Sequence, residues 1–212
     1  MNIPPLPIIL AQAIVLFLGI GLHEFAHCKF ADMAGDPTPG SYGRVTLNLF
    51  KHFEPIGTFM MIMTTMTGFG IGWGRPAPMD PKKMKNPRWD FFAAVAAGPI
   101  TNLLQAIAYA MILRTLKPSL GEDDFLSALL LYGVLINLGL FMFNLIPFGP
   151  LDGQWLVGML LPEKARWRWF KFNIGFGIPG LFVIVLILQT THVSLVSGPV
   201  TYLFNLLTGI RL

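Results

Sequence analysis

The chain has 212 residues, of which 54% are hydrophobic and 12% are charged. Because soluble domains carry about 25% charged residues, this composition argues against a soluble protein, and equally against a disordered chain, a coiled coil or a nucleic-acid-binding protein. The single cysteine excludes an internal disulfide. The net charge of +4 requires no anionic partner, because membrane proteins gather Lys and Arg in their cytoplasmic loops.

Five windows of the sequence contain no charged residue. Each is at least 20 residues long, and they cover 1–23, 55–74, 91–113, 125–151 and 172–210. A helix needs about 20 apolar residues to cross the hydrocarbon core of a bilayer. The sequence therefore predicts an all-α, polytopic membrane protein with about five to six transmembrane helices.

The first helix is predicted from about Ile8 to Met33, where a turn-forming segment rich in Pro and Gly follows. Since no Lys or Arg precedes the apolar run, we expect this helix to be retained as a span and not cleaved as a signal peptide. The polar stretch 35–55 that follows includes a β-prone piece, Arg44 to Leu47. The next segment, 57–73, is apolar again and rich in Met.

The second half of the chain contains two further spans, predicted at 91–113 and 125–143. A short helix is predicted at about 152–161. The last uncharged window, 172–210, has room for one long span and a shorter one.

Loop charge predicts the orientation of these spans. The loops 75–90 and 162–171 carry five and four Lys or Arg, and the two spans between them return the chain to the same side. Lys and Arg are enriched in cytoplasmic loops, so we predict that both loops face the cytoplasm.

Glu24 is an ionisable residue inside the first predicted helix, where a charge costs at least about 2.5 kcal/mol on insertion scales. It stands in the sequence His23-Glu24-Phe25-Ala26-His27, an H-E-x-x-H motif. Residues i and i+4 share one face of a helix, so the two histidines can bind one metal ion while Glu24 acts as general base on water activated by that metal. Alternatively, the two imidazoles only pack or form hydrogen bonds within a helix bundle.

A catalytic zinc ion needs a third protein ligand and an open position for water. Asp152 is the best candidate, because Pro147 and Pro150 break the helix before it, and broken helix at membrane depth is tolerated where it lines a cavity or is buried in protein. Alternatively, Asp152 is only the N-cap of the next helix. The remaining candidate ligands are His52, Glu54, His192 and Cys28. Of these, we expect His52 to be solvated and Cys28 to be a packing residue.

These motifs together resemble the site-2 protease family of intramembrane zinc metalloproteases. The H-E-x-x-H of that family matches His23 to His27, its A-G-P-x-x-N matches Ala97 to Asn102, and its N-x-x-P-x-x-P-x-D-G matches Asn144 to Gly153. The stretch from Thr46 to Gly57 is also similar, and the likeness covers roughly residues 18–160.

The resemblance implies one zinc ion per chain, held by His23, His27 and Asp152. It implies that Glu24 is the general base, and that Asn144 and Asn102 lie near the substrate, where one of them helps to stabilise the oxyanion. Interhelical hydrogen bonding is an equally good explanation for both asparagines.

The function that the resemblance implies is that of a zinc endopeptidase. Its substrate would be a membrane protein cut in or next to a transmembrane segment within the lipid bilayer, at an active site that opens toward the cytoplasm. The loops are too short for an appended regulatory domain, so we expect one membrane-embedded domain over 1–212, with a catalytic core at about 8–160 and C-terminal helices at 172–212. The alternatives are a metal-binding transporter and a non-proteolytic scaffold derived from the protease fold.

The expected ligand set constrains the segment 57–73. For the three ligands to meet, the end of the first helix and the start of the span at Phe91 must lie on the same side of the membrane. A single crossing at 57–73 would place them on opposite sides, so we predict that this segment is re-entrant or makes an even number of crossings with the β-like stretch 46–53. The glycines that suit a turn inside the membrane are Gly68, Gly70, Gly72 and Gly74.

Overall fold

The computed structural model describes residues 4–67, 72–116, 125–190 and 196–211. The α-helices in these ranges are α1 (Leu6–Met33), α2 (Thr38–Ser41), α3 (Pro55–Thr67), α4 (Trp89–Leu116), α5 (Phe125–Asn144), α6 (Asp152–Leu160), α7 (Glu163–Thr190) and α8 (Ser197–Thr208). Two 3-10 helices lie at Leu49–His52 and Pro81–Lys83, and the described part of the chain contains no β-strand. The predicted all-α class is therefore confirmed.

Three of the described helices are long and apolar enough to cross a membrane, namely α1, α4 and α5. They coincide with the helices predicted at 8–33, 91–113 and 125–143, and the prediction of a long apolar helix in each range is confirmed. By contrast, α3 has 13 residues and spans about 20 Å, which is less than the hydrocarbon thickness of about 30 Å. The further crossings that the sequence suggests, within 57–73 and 172–210, stay predictions.

Helices α1, α4 and α5 pack against one another and form the central bundle. Gly19 of α1 permits this close approach to α5, because a Cβ there would stand 3.0 Å from Leu140 Cδ1 and 3.1 Å from Asn137 Oδ1. Helix α8 covers α4 and α5 and inserts Phe204, which is fully buried. The residues of the candidate site thus lie among packed helices.

The two ends of the segment 54–73, which follows the first 3-10 helix, lie next to each other. Phe53 and Gly74 form an isolated antiparallel bridge, and the Arg75 N–H donates to the His52 carbonyl at 2.8 Å. The two ends of the segment 54–73 are therefore adjacent.

Glycines allow the returning chain to lie against α3. A Cβ on Gly57 would stand 2.9 Å from Trp73 Cδ1, and a Cβ on Gly72 would stand 2.8 Å from Met61 Cα. Residues 72–74 thus run beside the first turns of α3. Of the glycines expected to form a turn, Gly68 and Gly70 lie outside the described residues.

The β-prone piece Arg44 to Leu47 forms bends and not a strand. Arg44 is 3% exposed, and its guanidinium donates to the carbonyls of Arg75, at 2.6 Å, and Pro76, at 3.3 Å. The side chain thereby occupies the backbone acceptors that a neighbouring strand would use. In the described residues, β-pairing after the first helix amounts to the bridge between Phe53 and Gly74.

A buried carboxylate fixes the loop that follows α1. Asp36 is fully buried and accepts hydrogen bonds from the N–H groups of Thr38, at 3.0 Å, and Asp80, at 2.6 Å. Burial alone would raise the pKa of Asp36, but these hydrogen bonds outweigh it and hold the pKa below its ordinary value. Because Asp80 belongs to the loop before α4, Asp36 couples the end of α1 to that loop.

Candidate metal centre

Three side chains from distant parts of the sequence converge on one point. His23 and His27 extend from α1, and Asp152 is the first residue of α6. Asp152 Oδ2 lies 3.2 Å from His23 Nε2 and 3.4 Å from His27 Nε2, and the two Nε2 atoms are 2.9 Å apart. Both histidines are buried. The three residues can each offer one ligand atom to the same metal ion.

The outer nitrogen of each imidazole has a hydrogen-bond partner. His27 Nδ1 lies 2.8 Å from the Ala94 carbonyl, and His23 Nδ1 lies 2.7 Å from Asn102 Oδ1. A carbonyl or amide oxygen only accepts, so each Nδ1 carries the proton and each Nε2 presents a lone pair. Two lone pairs and a carboxylate oxygen facing one another repel unless a cation lies between them.

The spacing and chemistry of these atoms fit zinc. Imidazole nitrogens and a carboxylate oxygen are ligands that zinc uses at about 2.0–2.2 Å, and tetrahedral ligands at that distance stand about 3.3 Å apart. The separations of 2.9 to 3.4 Å match this value. Asp152 Oδ2 is also buried with no hydrogen-bond donor among the described residues, as expected for an atom that faces a metal.

Asp152 is not the N-cap of α6. The N-cap is Leu151, and no side chain caps this helix, so the capping-only interpretation is not supported. The loop before Asp152 is fixed from α7 instead, because Asn173 Oδ1 accepts from the Gly149 N–H at 3.0 Å. The indole N–H of Trp169 donates to the Gln154 carbonyl at 2.7 Å, which fixes the first turn of α6.

Glu24 lies beside the ligand cluster without joining it. Its Oε2 is buried and has no hydrogen-bond partner among the described residues. The backbone at Gly74 passes against this side chain, since a Cβ there would stand 3.0 Å from Glu24 Cγ. The Glu24 carboxylate is therefore held beside the candidate metal ligands.

The two asparagines named by the resemblance have different surroundings. Asn102 is fully buried and contacts His23 on the side away from Asp152. Asn144 is half-buried at the end of α5 and donates to the Leu140 carbonyl at 2.9 Å. A substrate contact for either residue stays a prediction.

The other candidate ligands do not belong to the described cluster. Glu54 immediately precedes α3, and its Oε2 accepts from the Gly57 N–H at 2.7 Å. His52 is fully buried and not solvated as expected; burial lowers its pKa, and Nε2 donates to the Thr46 carbonyl. Cys28 is buried, and His192 lies outside the described residues.

Sequence reasoning included Gly98 only as part of the A-G-P-x-x-N match from Ala97 to Asn102 and missed its specific role. A Cβ on Gly98 would stand 2.7 Å from His23 Nε2 and would also meet the His27 ring. It missed Asn137 altogether, a fully buried amide on α5. The signal that could have found Asn137 is a polar residue inside the uncharged window 125–151.

A bacterial relative identifies the kind of protein to which this centre belongs. The protein named "Putative zinc metalloprotease YwhC" from Bacillus subtilis (strain 168) is 35% identical over 172 residues, which cover 76% of this chain and 74% of the relative. The chain belongs to this zinc metalloprotease family. No protein-family model matches the sequence, and no solved structure matches the fold.

Membership of this family makes zinc the metal of the centre, which confirms the predicted cofactor. The residues that fit zinc in this metalloprotease are His23, His27 and Asp152. Two of them extend from α1, one of the three bundle helices that are long and apolar enough to cross a membrane.

Proposed function

We propose that this metalloprotease is an intramembrane endopeptidase of the site-2 type, which hydrolyses a peptide bond in or next to a transmembrane segment of a membrane-protein substrate. The observation that carries the proposal is the position of the ligands. His23 and His27 lie within α1, an apolar helix of 28 residues, well before its end at Met33. A zinc site on such a helix meets its substrate at or near membrane depth.

The residues of the centre have separable tasks. His23, His27 and Asp152 would hold zinc. The chemistry that zinc supplies when bound is Lewis acidity, which polarises a carbonyl and lowers the pKa of water to about 7. Glu24 takes a proton from the attacking water as the oxygen of that water bonds to the scissile carbonyl carbon. Glu24 then delivers that proton to the amide nitrogen as the C–N bond breaks, which leaves a carboxyl group and an amine.

The substrate helix must unwind locally before it can react. A helical carbonyl is hydrogen-bonded to the amide four residues later and is shielded by the helix. We propose that Asn144, which precedes the proline-broken loop leading to Asp152, lies on the substrate side of the centre, as the family resemblance implies. Its amide is suited to stabilise negative charge on the scissile carbonyl oxygen.

The segment 54–73 is proposed to enter and leave the membrane on one side. Its ends are joined by the bridge between Phe53 and Gly74, and α3 is too short to cross alone. This path keeps the C-terminal end of α1 and the start of α4 on the same side. With the basic loop 75–90 and the basic stretch 162–171, which the structure places largely in the first turns of α7, in the cytoplasm, the centre opens toward the cytoplasm.

The first experiment measures zinc in the protein purified in detergent, by inductively coupled plasma mass spectrometry. We expect about one zinc per chain in the wild type and a loss in both His23→Ala and Asp152→Ala. Retention of full zinc by Asp152→Ala would contradict the ligand set.

Activity is then tested on epitope-tagged single-span membrane proteins in proteoliposomes, with mass spectrometry to locate the cleaved bond. Glu24→Gln is the matched control, because it should keep zinc and lose cleavage by at least about a hundredfold. A transporter would keep its zinc flux in Glu24→Gln. Cleavage confined to loops far from the span would contradict the intramembrane proposal but not the metalloprotease activity.

A further inference from the structure

Two fully buried asparagines lie in the central bundle behind His23. Asn102 is on α4 and Asn137 is on α5, and both side chains are 0% exposed. A buried amide destabilises the fold unless its donors and acceptor find partners. The side chains of Asn102 and Asn137 must therefore be hydrogen-bonded within these apolar helices.

The contacts of Asn102 fix which way its amide faces. Asn102 Nδ2 lies 3.0 Å from the Gly19 carbonyl and 3.0 Å from Asn137 Oδ1. The Gly19 carbonyl only accepts, so the amino group must face it. The carbonyl oxygen of Asn102 then faces His23 Nδ1, at 2.7 Å.

Asn137 is oriented in the same way by a second carbonyl. Its Nδ2 donates to the Gly133 carbonyl at 2.9 Å, which turns its Oδ1 toward Asn102. The hydrogen bonds therefore run in one direction, from His23 to Asn102, from Asn102 to Asn137, and from Asn137 to Gly133. No group in this series can reverse without leaving two acceptors facing each other.

We infer that Asn137 and Asn102 form a positioning pair that sets the tautomer and ring orientation of His23, so that its Nε2 lone pair faces the metal. Asn102 acts on the ligand directly, and Asn137 acts through Asn102. The inference rests on zinc at His23 and not on the nature of the substrate. It gives Asn102 a part on the ligand side, where the resemblance implied a substrate contact.

Zinc affinity tests the pair without any substrate. In Asn137→Leu, the new side chain keeps the branching and the number of heavy atoms of asparagine but lacks both its donor and its acceptor. We expect the Kd for zinc, measured by competition with a chromophoric chelator in detergent, to rise about 10–100-fold, and the absorption spectrum of the cobalt-substituted protein to change. Asn102→Leu should weaken zinc at least as much. Asn137→Ala serves the same purpose if the leucine variant cannot be purified.

Ser127→Ala is the matched control, because Ser127 is a buried polar residue on the same helix. It should leave the zinc Kd and the cobalt spectrum unchanged. The proposal is overturned if the Asn137 variants bind zinc within twofold of the wild type while the zinc-free protein loses thermal stability, since the pair would then only hold helices together. It is equally overturned if Asn102→Leu keeps its zinc Kd and loses cleavage at saturating zinc, which is the signature of a substrate contact.

Discussion

Asn173 accepts a hydrogen bond from the Gly149 N–H at 3.0 Å, and this contact joins α7 to the loop that leads into Asp152. Asn173 is 5% exposed, although its chain neighbour Ile174 is 88% exposed. The Asn173 side chain thus faces the loop, and the Ile174 side chain faces outward. The position of Asp152, the proposed third zinc ligand, therefore depends on a helix that lies outside the central bundle.

Replacing Asn173 with leucine should weaken zinc binding. The change leaves the buried Gly149 N–H without an acceptor, which costs about 1–3 kcal/mol, and it loosens the loop before Asp152. We expect a several-fold rise in the zinc Kd and a lower thermal midpoint. Ile174→Ala, on the same helix, should change neither. An unchanged Kd in Asn173→Leu would show that the loop holds its position without α7.

Replacing Gly98 with alanine should remove zinc. The added Cβ would stand 2.7 Å from His23 Nε2 and would meet the His27 ring, so both ligands or the whole of α4 must shift. We expect the zinc content to fall well below one per chain, with a loss of stability of about 1–3 kcal/mol from overpacking. The control is Gly139→Ala on α5, since a Cβ at Gly139 meets no atom within 4 Å. Full zinc in Gly98→Ala would argue against a metal at this point.

Removing zinc should destabilise the wild type. A ligand that binds only the folded state adds about 4 kcal/mol when its concentration is a thousandfold above Kd. A chelator should therefore lower the thermal midpoint of the wild type and, by a similar amount, that of Glu24→Gln. The midpoint of His23→Ala should respond little. A similar response in all three proteins would indicate that the chelator acts elsewhere.

The stabilisation from Asp36 should depend on pH. The pKa of Asp36 is lower in the folded protein than its ordinary value of about 4. Its contribution is therefore complete above the unfolded pKa and is lost as pH falls through the folded one. We expect the difference in thermal midpoint between wild type and Asp36→Asn to be largest near neutral pH and to shrink below about pH 4. Asp32→Asn removes only an exposed ion pair with Lys29 and should have little effect at any pH.

The sequence alone predicted the helices that carry the site. Charge-free windows longer than a bilayer crossing define α1, α4 and α5, because an unpaired charge in hydrocarbon is expensive. The sequence also predicted zinc, because an H-E-x-x-H motif on a helix places two imidazoles on one face. These are local properties, which depend on residue type and spacing within a single element.

The tertiary structure decided what crosses between elements. That Asp152 meets His23 and does not cap α6 depends on a loop fixed from α7, some twenty residues later in the chain. That Gly98 must lack a side chain depends on how closely α4 approaches α1. The roles of Asn102 and Asn137 depend on which carbonyls face their amides across the bundle. Residue spacing does not predict these contacts, because the packing of the helices decides which side chain meets which partner and which group donates the hydrogen bond.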